Sequence, residues 1–310
     1  MLIPCFPDFV PLTMELKSEM HPKLSLTPDG VSEYTFADLY LFRKRYNYRV
    51  SRVEDKTFIL SGIQPPPGEE LSDPSAPSQG RRFFCTPCAS PGRGILGELF
   101  KTHDYWKGIP DAVLTPNREH LEAFGITFTE DRDNFDYLYL RTELAALSGK
   151  RFHKKKNLVN AFNNAYPGHE MKILRQGLIP DALEVLEKWR EDKGSGGDYT
   201  ASRESLEFFE ELNMKGALFY IEGKPAGYCL GETLARGRMF TIHFEKALDA
   251  YKGIYQYINQ AYAASLPNYL TYINREQDLG DEGLRQSKMT YRPCGFVRKF
   301  TGHRPETPGS

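Results

Sequence analysis

Residues 269–296 read YLTYINREQDLGDEGLRQSKMTYRPCGF, an apolar, strand-like run that passes into dense charge and closes on a turn. Asn274, Arg275, Glu276 and Asp278 follow directly on the strand expected over Tyr269–Asn274. Gly280, Asp281 and Glu282 give a capped, acidic start to a helix over Asp281–Met289. Arg285 and Lys288 are three apart on that helix and share a face. Sheets of α/β proteins place ligands at the carboxyl ends of strands. Asn274, Glu276, Asp278, Arg285 and Lys288 are therefore candidate binding residues. The structural alternative pairs Glu276 and Asp278 with Arg285 and Lys288 as ion pairs.

The segments before it alternate between the two regular periods. Ile179–Glu191 has the spacing of an amphipathic helix, KGSGGD at 193–198 breaks it, and a second helix is expected over about Ser202–Leu212. Ala217–Ile221 and Ala226–Glu232 read as a hairpin about the turn Glu222-Gly223-Lys224-Pro225. Met239–Glu245 is a strand, Ile254–Ala264 a helix and Gly295–Phe300 a last strand. On the Met239–Glu245 strand, period-two alternation puts Thr241, His243 and Glu245 on one side. Glu245 or His243 could take a proton from an attacking amine or hydroxyl, directly or through water. A satisfied structural histidine is the plainer fate for His243. Lys246 is expected to neutralise Glu245 or to bind an anion.

Asp136–Leu140 alternates as a strand, and Arg141–Phe162 has helical spacing with Leu144, Leu147, Leu158 and Phe162 on one face. Lys150, Arg151, Lys154, Lys155 and Lys156 crowd around His153. On a continuous helix, Arg151 and Lys155 would point the same way as the apolar stripe. Cations there are costly unless they meet an anion or leave the core. Either Gly149 turns the helix out of register, or these side chains reach a cleft between the two halves of the chain. A solvated basic face is the plain alternative. As binding residues, Lys150, Arg151, Lys154 and Lys155 suit phosphates on a tRNA acceptor end or a nucleotide-bearing donor, with an affinity that falls with salt.

Forty basic and forty-one acidic side chains in 310 residues leave no global charge that commits the chain to nucleic acid or an anionic membrane. Eighteen Tyr and twenty Phe suit packed domains. The length favours two domains. No apolar run approaches the ~20 residues of a membrane-spanning helix, and the N-terminus MLIPCFPDFVPLTMELK lacks the basic region of a signal peptide. The expectation is a soluble, cytoplasmic chain with no transmembrane segment. Cys85 and Cys88 form a CxxC pair without clustered partners, so two strand-end thiols are expected rather than a metal site. Residues 61–80, rich in Pro, Ser and Gly, form a loop between strand-like Thr57–Leu60 and Arg82–Phe84. In YTFADLYLFRKRYNYRV at 34–50, Arg43, Lys44 and Arg45 lie among aromatics that could stack on nucleic acid, but a core with a charged rim is preferred.

The hairpin EGKPAGYCLGE at 222–232 and the turn Tyr291-Arg292-Pro293-Cys294-Gly295-Phe296 resemble the central strands and the closing Tyr-x-x-x-Gly-Phe of the GNAT N-acetyltransferase fold. In that fold the turn tyrosine often protonates the leaving group, which nominates Tyr291. The pyrophosphate loop of such enzymes, Gln/Arg-x-x-Gly-x-Gly/Ala at a helix N-terminus, is altered: with Gly253 as its first glycine, Ala250 and Tyr255 stand at the other two positions. Three segments, 136–162, 242–259 and 272–293, more closely resemble a bacterial family similar to the C-terminal domain of phosphatidylglycerol lysyltransferase.

That resemblance covers nearly the whole chain. It implies an α/β (α+β) protein of two tandem GNAT-like domains, each a mixed, mostly antiparallel sheet flanked by helices. The domains would be 1–165, including the basic helix, and 166–305, carrying the active site, with a tail at 306–310. The implied activity is transfer of an aminoacyl group, from an aminoacyl-tRNA donor, to an amine or hydroxyl, with no cofactor required and acetyl-CoA less expected. The integral-membrane domain of the lipid-modifying members has no counterpart in this sequence, which argues against a lipid acceptor. An acyl-CoA-dependent N-acetyltransferase and a non-catalytic binding protein that keeps the fold are the rival readings.

Overall fold

Fourteen strands and their connecting helices appear in the computed structural model, which describes residues 2–53, 57–66, 80–193 and 198–304. Most of the expected loop at 61–80 and the middle of the KGSGGD turn lie outside the described residues. The strands are β1 (Val10–Pro11), β2 (Arg49–Val53), β3 (Thr57–Gln64), β4 (Arg81–Cys85), β5 (Tyr105–Pro110), β6 (Thr127–Glu130), β7 (Asp136–Leu140), β8 (His169–Ile173), β9 (Lys215–Ile221), β10 (Lys224–Leu234), β11 (Met239–Ala247), β12 (Tyr272–Asn274), β13 (Gly295–Val297) and β14 (Lys299–His303).

They form two seven-stranded sheets, ordered β1-β2-β3-β4-β5-β14-β6 and β13-β7-β12-β11-β10-β9-β8. Each sheet repeats one plan. An antiparallel meander, β2-β3-β4 in one and β8-β9-β10-β11 in the other, ends in a parallel pair, β4 with β5 and β11 with β12. A helix makes each crossover, Arg93–Phe100 in the first and Ile254–Ser265 in the second. A parallel pair requires such a crossover, because a tight turn can only reverse the chain.

The chain divides into two compact units, residues 1–135 with 297–310, and residues 136–296. The boundary thus falls at 135/136 rather than at the expected 165. β7 pairs with β12 in the register Tyr139↔Ile273, which draws residues 136–165 into the second unit. The expected last strand Gly295–Phe300 is also two strands: β13 closes the second sheet, and β14 enters the first between β5 and β6. In the first unit the core gathers Phe84, Leu96, Leu99, Trp106 and Ile109. The second packs Tyr137, Tyr139, Phe162, Phe219, Ile258 and Tyr262. Burying such side chains contributes about 1.5–3 kcal/mol each.

Local signals are realised where they are local. Glu222 and Gly223 both have positive φ, 51° and 76°, which makes the two-residue turn of the β9–β10 hairpin. Asp281 Oδ1 accepts from the Leu284 N–H at 2.6 Å and caps the helix Glu282–Met289. The expected second helix begins earlier and ends sooner, at Tyr199–Glu207. Residues 269–271 do not join β12, which is only Tyr272–Asn274. The aromatic run at 34–50 is core: Phe36–Leu41 is a buried helix, and Arg43 stacks 3.6 Å from the centre of the Tyr40 ring. Cys85 is buried, and burial pushes its thiol up to about 12, which makes it a poor nucleophile and fits the strand-end reading.

The expected helix Arg141–Phe162 is broken. Arg141–Ala146 ends at Leu147, which adopts φ 44°, and Gly149 follows at φ 83° before a short turn and the helix His153–Ala165. The break dissolves the conflict between cations and stripe, since the two helices present separate faces. Gly149 suits this role because only glycine enters the left-handed region at little cost.

Candidate active site

The second sheet opens where its parallel pair parts. β11 and β12 are in register from Met239↔Tyr272 to Thr241↔Asn274; β12 then ends while β11 continues to Ala247. Glu245 on the free length of β11 and Arg275, just after β12, meet across this opening with Nη2 to Oε2 at 3.2 Å. Asn259, on the crossover helix Ile254–Ser265, donates to Glu245 Oε1 and Oε2 at 3.1 Å each. Burial raises the Glu245 carboxyl above its usual range, while Arg275, Lys288 and the Asn259 hydrogen bond pull it back. Cys229, Ile242, Ile258 and Tyr262 line a cavity against the same carboxylate.

Tyr291 stands beside this pair and is 3% exposed. Arg275 lies 5.5 Å and Lys155 Nζ 4.1 Å from the centre of its ring. Burial pushes the phenol up to about 12 against the pull of Arg275, so it is a neutral O–H donor at ordinary pH. Lys288 is buried and donates to the Arg275 carbonyl at 2.6 Å and to the Gln277 carbonyl. Burial and the neighbouring Arg275 lower its ammonium to about 8.

A buried polar brace fixes the loop that carries Arg275. Asp136 on β7 accepts from Asn274 Nδ2 at 3.1 Å and from Gln277 Nε2 at 2.7 Å. Asp278, fully buried, accepts from the Tyr137 hydroxyl at 2.6 Å and takes a two-point contact from Arg285 at 2.9 and 2.8 Å. The ion-pair alternative therefore holds for Asp278 with Arg285. It does not hold for Lys288, which bonds to carbonyls, or for Glu276, which turns to His243.

His243 and Glu245 do not share a side. Leu230 pairs with Phe244 and Gly231 with Ile242, so His243 is an extra, bulged residue on β11. Glu245 stays opposite Cys229, whereas His243 reaches Glu232 three residues farther along β10 and so lies on the other face. Its Nε2 is 3.2 Å from Glu232 Oε1, and its Nδ1 is 2.6 Å from Glu276 Oε1. Burial opposes a charge on the ring, but the hydrogen bonds and charges of Glu232 and Glu276 prevail and hold it protonated well above its usual range. An imidazolium with both nitrogens engaged is a poor base. Lys246 also points away from Glu245; it pairs with Asp198 at 2.6 Å and lies 3.9 Å from the centre of the Trp189 ring.

Of the basic cluster, only Lys155 joins the site. Lys150, Lys154 and Lys156 are exposed, and Arg151 is exposed and paired with Glu143. Sequence reasoning missed Asn259 and Glu232. A signal existed for Asn259, which interrupts the apolar face between Ile258 and Tyr262.

The turn after β11 is filled from within. A Cβ on Gly253, at φ 91°, would lie 2.9 Å from the Leu158 carbonyl oxygen and 3.2 Å from the Phe162 Cβ, so the helix His153–Ala165 lies against it. The Tyr255 hydroxyl donates to the Ala247 carbonyl at 3.0 Å. Among the described residues, no helix is long and apolar enough to cross a membrane.

The chain is 26% identical to a conserved protein of unknown function from Bacteroides thetaiotaomicron, with a TM-score of 0.81 over 96% of this chain and 99% of that one. It also superposes on the C-terminal domain of a putative lysylphosphatidylglycerol synthetase from Agrobacterium fabrum with a TM-score of 0.65, at 13% identity over 95% and 93% of the two chains. An uncharacterized protein of Mycoplasmoides gallisepticum is 25% identical over 171 residues, 53% of this chain and 54% of that one, so the chain spans about half the length of the curated relative it matches. The fold is mixed α/β, two mostly antiparallel sheets flanked by helices. A family model described as phosphatidylglycerol lysyltransferase, C-terminal, matches residues 106–301. The chain belongs to that family.

Proposed function

We propose that this protein is an acyltransferase that moves an aminoacyl group from an aminoacyl-tRNA to an amine or hydroxyl acceptor, with its site in the second unit. One observation carries the reading: Glu245, beside a neutral Tyr291, bridges the parted ends of β11 and β12 to Arg275. The acceptor nitrogen or oxygen attacks the ester carbonyl of the donor as its proton passes to Glu245. The tetrahedral intermediate then expels the ribose oxygen, which takes a proton from Tyr291. Solvent returns the proton from Glu245 to Tyr291, so the net change is the acyl group alone. A carboxyl raised by burial suits the base, because proton transfer is most effective when its pKa nears the working pH.

The packed turn at Gly253 and Tyr255 argues against the acyl-CoA reading. A pyrophosphate there needs open backbone N–H groups at the helix N-terminus, and the helix His153–Ala165 lies against this turn. The deciding assay incubates the purified protein with aminoacyl-tRNAs labelled on the amino acid and a panel of amines, hydroxyl compounds and phosphatidylglycerol vesicles. Protein-dependent transfer that Glu245→Gln abolishes supports the proposal. Acetylation of a panel amine from acetyl-CoA, with no aminoacyl transfer, overturns it, as does silence with every donor.

A further inference from the structure

The first unit holds a cavity of about 250 Å³ on the face of its sheet opposite the core residues Phe84, Trp106 and Phe300. Period-two alternation puts Arg81 of β4, Tyr105 and Lys107 of β5, and Thr301 and His303 of β14 on that face, with Gln64 of β3 paired beside Arg81. Asp131 and Asn134, which follow β6, line it as well. Arg81 and Tyr105 begin their parallel strands, whereas Glu245 sits near the carboxyl end of β11. The cavity is therefore not a copy of the Glu245 site.

Its lining groups are unequally satisfied. Tyr105 is 7% exposed, yet its hydroxyl has no hydrogen bond among the described residues. The ring is held in place: the Arg81 guanidinium lies 4.7 Å from its centre, and the His303 ring stacks on it at 5.8 Å. Arg81 has no ion pair or hydrogen bond among the described residues. A guanidinium stacked on a ring keeps its N–H fork free for a ligand. Lys107 donates to Gln64 Oε1 at 2.7 Å and packs 4.8 Å from the centres of the Tyr46 and Phe83 rings. Its charge also meets no carboxylate among the described residues.

The acidic groups of the lining are better matched. Glu130 pairs with Arg298, and Asp131 accepts from Asn134 Nδ2 at 2.8 Å. Burial raises the Tyr105 phenol; Arg81 opposes that rise and Asp131 adds to it, so both charges act on the hydroxyl, which stays a neutral donor. Arg81 and Lys107 thus face one carboxylate without a cation of its own, Asp131, which leaves one positive charge over. A buried hydroxyl without a partner is costly, and an acceptor bound beside it would satisfy it.

We propose that this cavity binds a small monocarboxylate, with the carboxylate gripped by the Arg81 fork and the Tyr105 hydroxyl and the Lys107 charge nearby. Sites for drug-sized ligands measure about 300–1,000 Å³, so the occupant is smaller. A phosphomonoester carries about two negative charges near neutral pH and would meet Asp131 with one charge in excess. The proposal is independent of the transfer reading, since none of these residues belongs to the second unit.

The test is an NMR titration of the whole protein with acetate, lactate, 4-hydroxybenzoate and inorganic phosphate. The expected result is saturable shifts, confined to amides near Arg81, Tyr105 and Thr301, with at least one carboxylate, and weaker binding of phosphate. Arg81→Met should weaken the carboxylate about ten-fold, because it removes a charge-assisted, two-point contact. Tyr105→Phe should weaken it several-fold and leave the melting temperature unchanged, because the hydroxyl has no partner in the fold to lose. No saturable shift with any carboxylate, tighter binding of phosphate, or unaltered affinity in a folded Arg81→Met protein overturns the site. A lower melting temperature in Tyr105→Phe, with carboxylate affinity intact, removes the hydroxyl from the grip and overturns the proposed geometry.

Discussion

Glu245 and Arg275 meet at 3.2 Å across the point where two parallel strands separate, and each is largely shielded, with side chains 12% and 15% exposed. A pair so placed closes the open end of the sheet and leaves the Glu245 carboxylate lining the cavity with Cys229, Ile258 and Tyr262.

Glu245→Gln keeps the shape and an acceptor for Asn259 but removes the base and the charge partner of Arg275. Transfer activity should fall about 100-fold, within the usual range for general acid–base catalysis. Full activity with a normal pH profile would exclude Glu245 as the base.

Asp278→Asn breaks the two-point contact to Arg285 and leaves a poorer partner for the Tyr137 hydroxyl. With Arg285 part exposed, the loss should be about 2 kcal/mol, below the range for fully buried pairs. Urea unfolding measures it, and hydrogen exchange should quicken through residues 275–280. Unaltered exchange there would mean that the brace does not hold the loop.

Lys288 and His243 give opposite pH dependences. The Lys288 ammonium is lowered to about 8 in the folded protein, against about 10.4 when unfolded. Between these values the unfolded chain holds more protons, so the contribution of this group to stability rises with pH. The stability difference between wild type and Lys288→Met should therefore shift toward the wild type from pH 8 to 10. His243 is raised, so its contribution is full below about 6.5 and is lost as pH climbs through its folded value. In His243→Gln that alkaline loss should disappear; chemical unfolding at several pH values reads both, and parallel curves would refute the assignment.

Gly253→Ala forces a side chain into left-handed backbone beneath the Leu158 carbonyl. A cost of about 2 kcal/mol is expected from that conformation and contact, seen as a lower melting temperature. A neutral outcome would mean that the helix His153–Ala165 can move off the turn, which would reopen the acyl-CoA reading.

What could be read in the chain was short-range. Glu222-Gly223 made its turn and Asp281 its cap because both depend on residues within a few positions. The bulge at His243 was not readable, because the extra residue exists only relative to β10, and it alone sends His243 and Glu245 to opposite faces. Lys155 was singled out for a charge on an apolar stripe, but its contact with Tyr291 lies 136 residues downstream.

The sequence by itself determined most of the helices and strands between Ile179 and Met289, the altered turn at Gly253 and the segment 269–296 as the place to look. Tertiary structure decided which of its charges are braces and which lie beside the Glu245 carboxylate. It joined Glu245, Arg275, Asn259, Lys155 and Tyr291 into one group and sent β14 back to the first sheet. The reason is physical: periodicity encodes which face of an element is apolar, whereas strand pairing and the matching of buried charges are settled only when distant segments exclude water together.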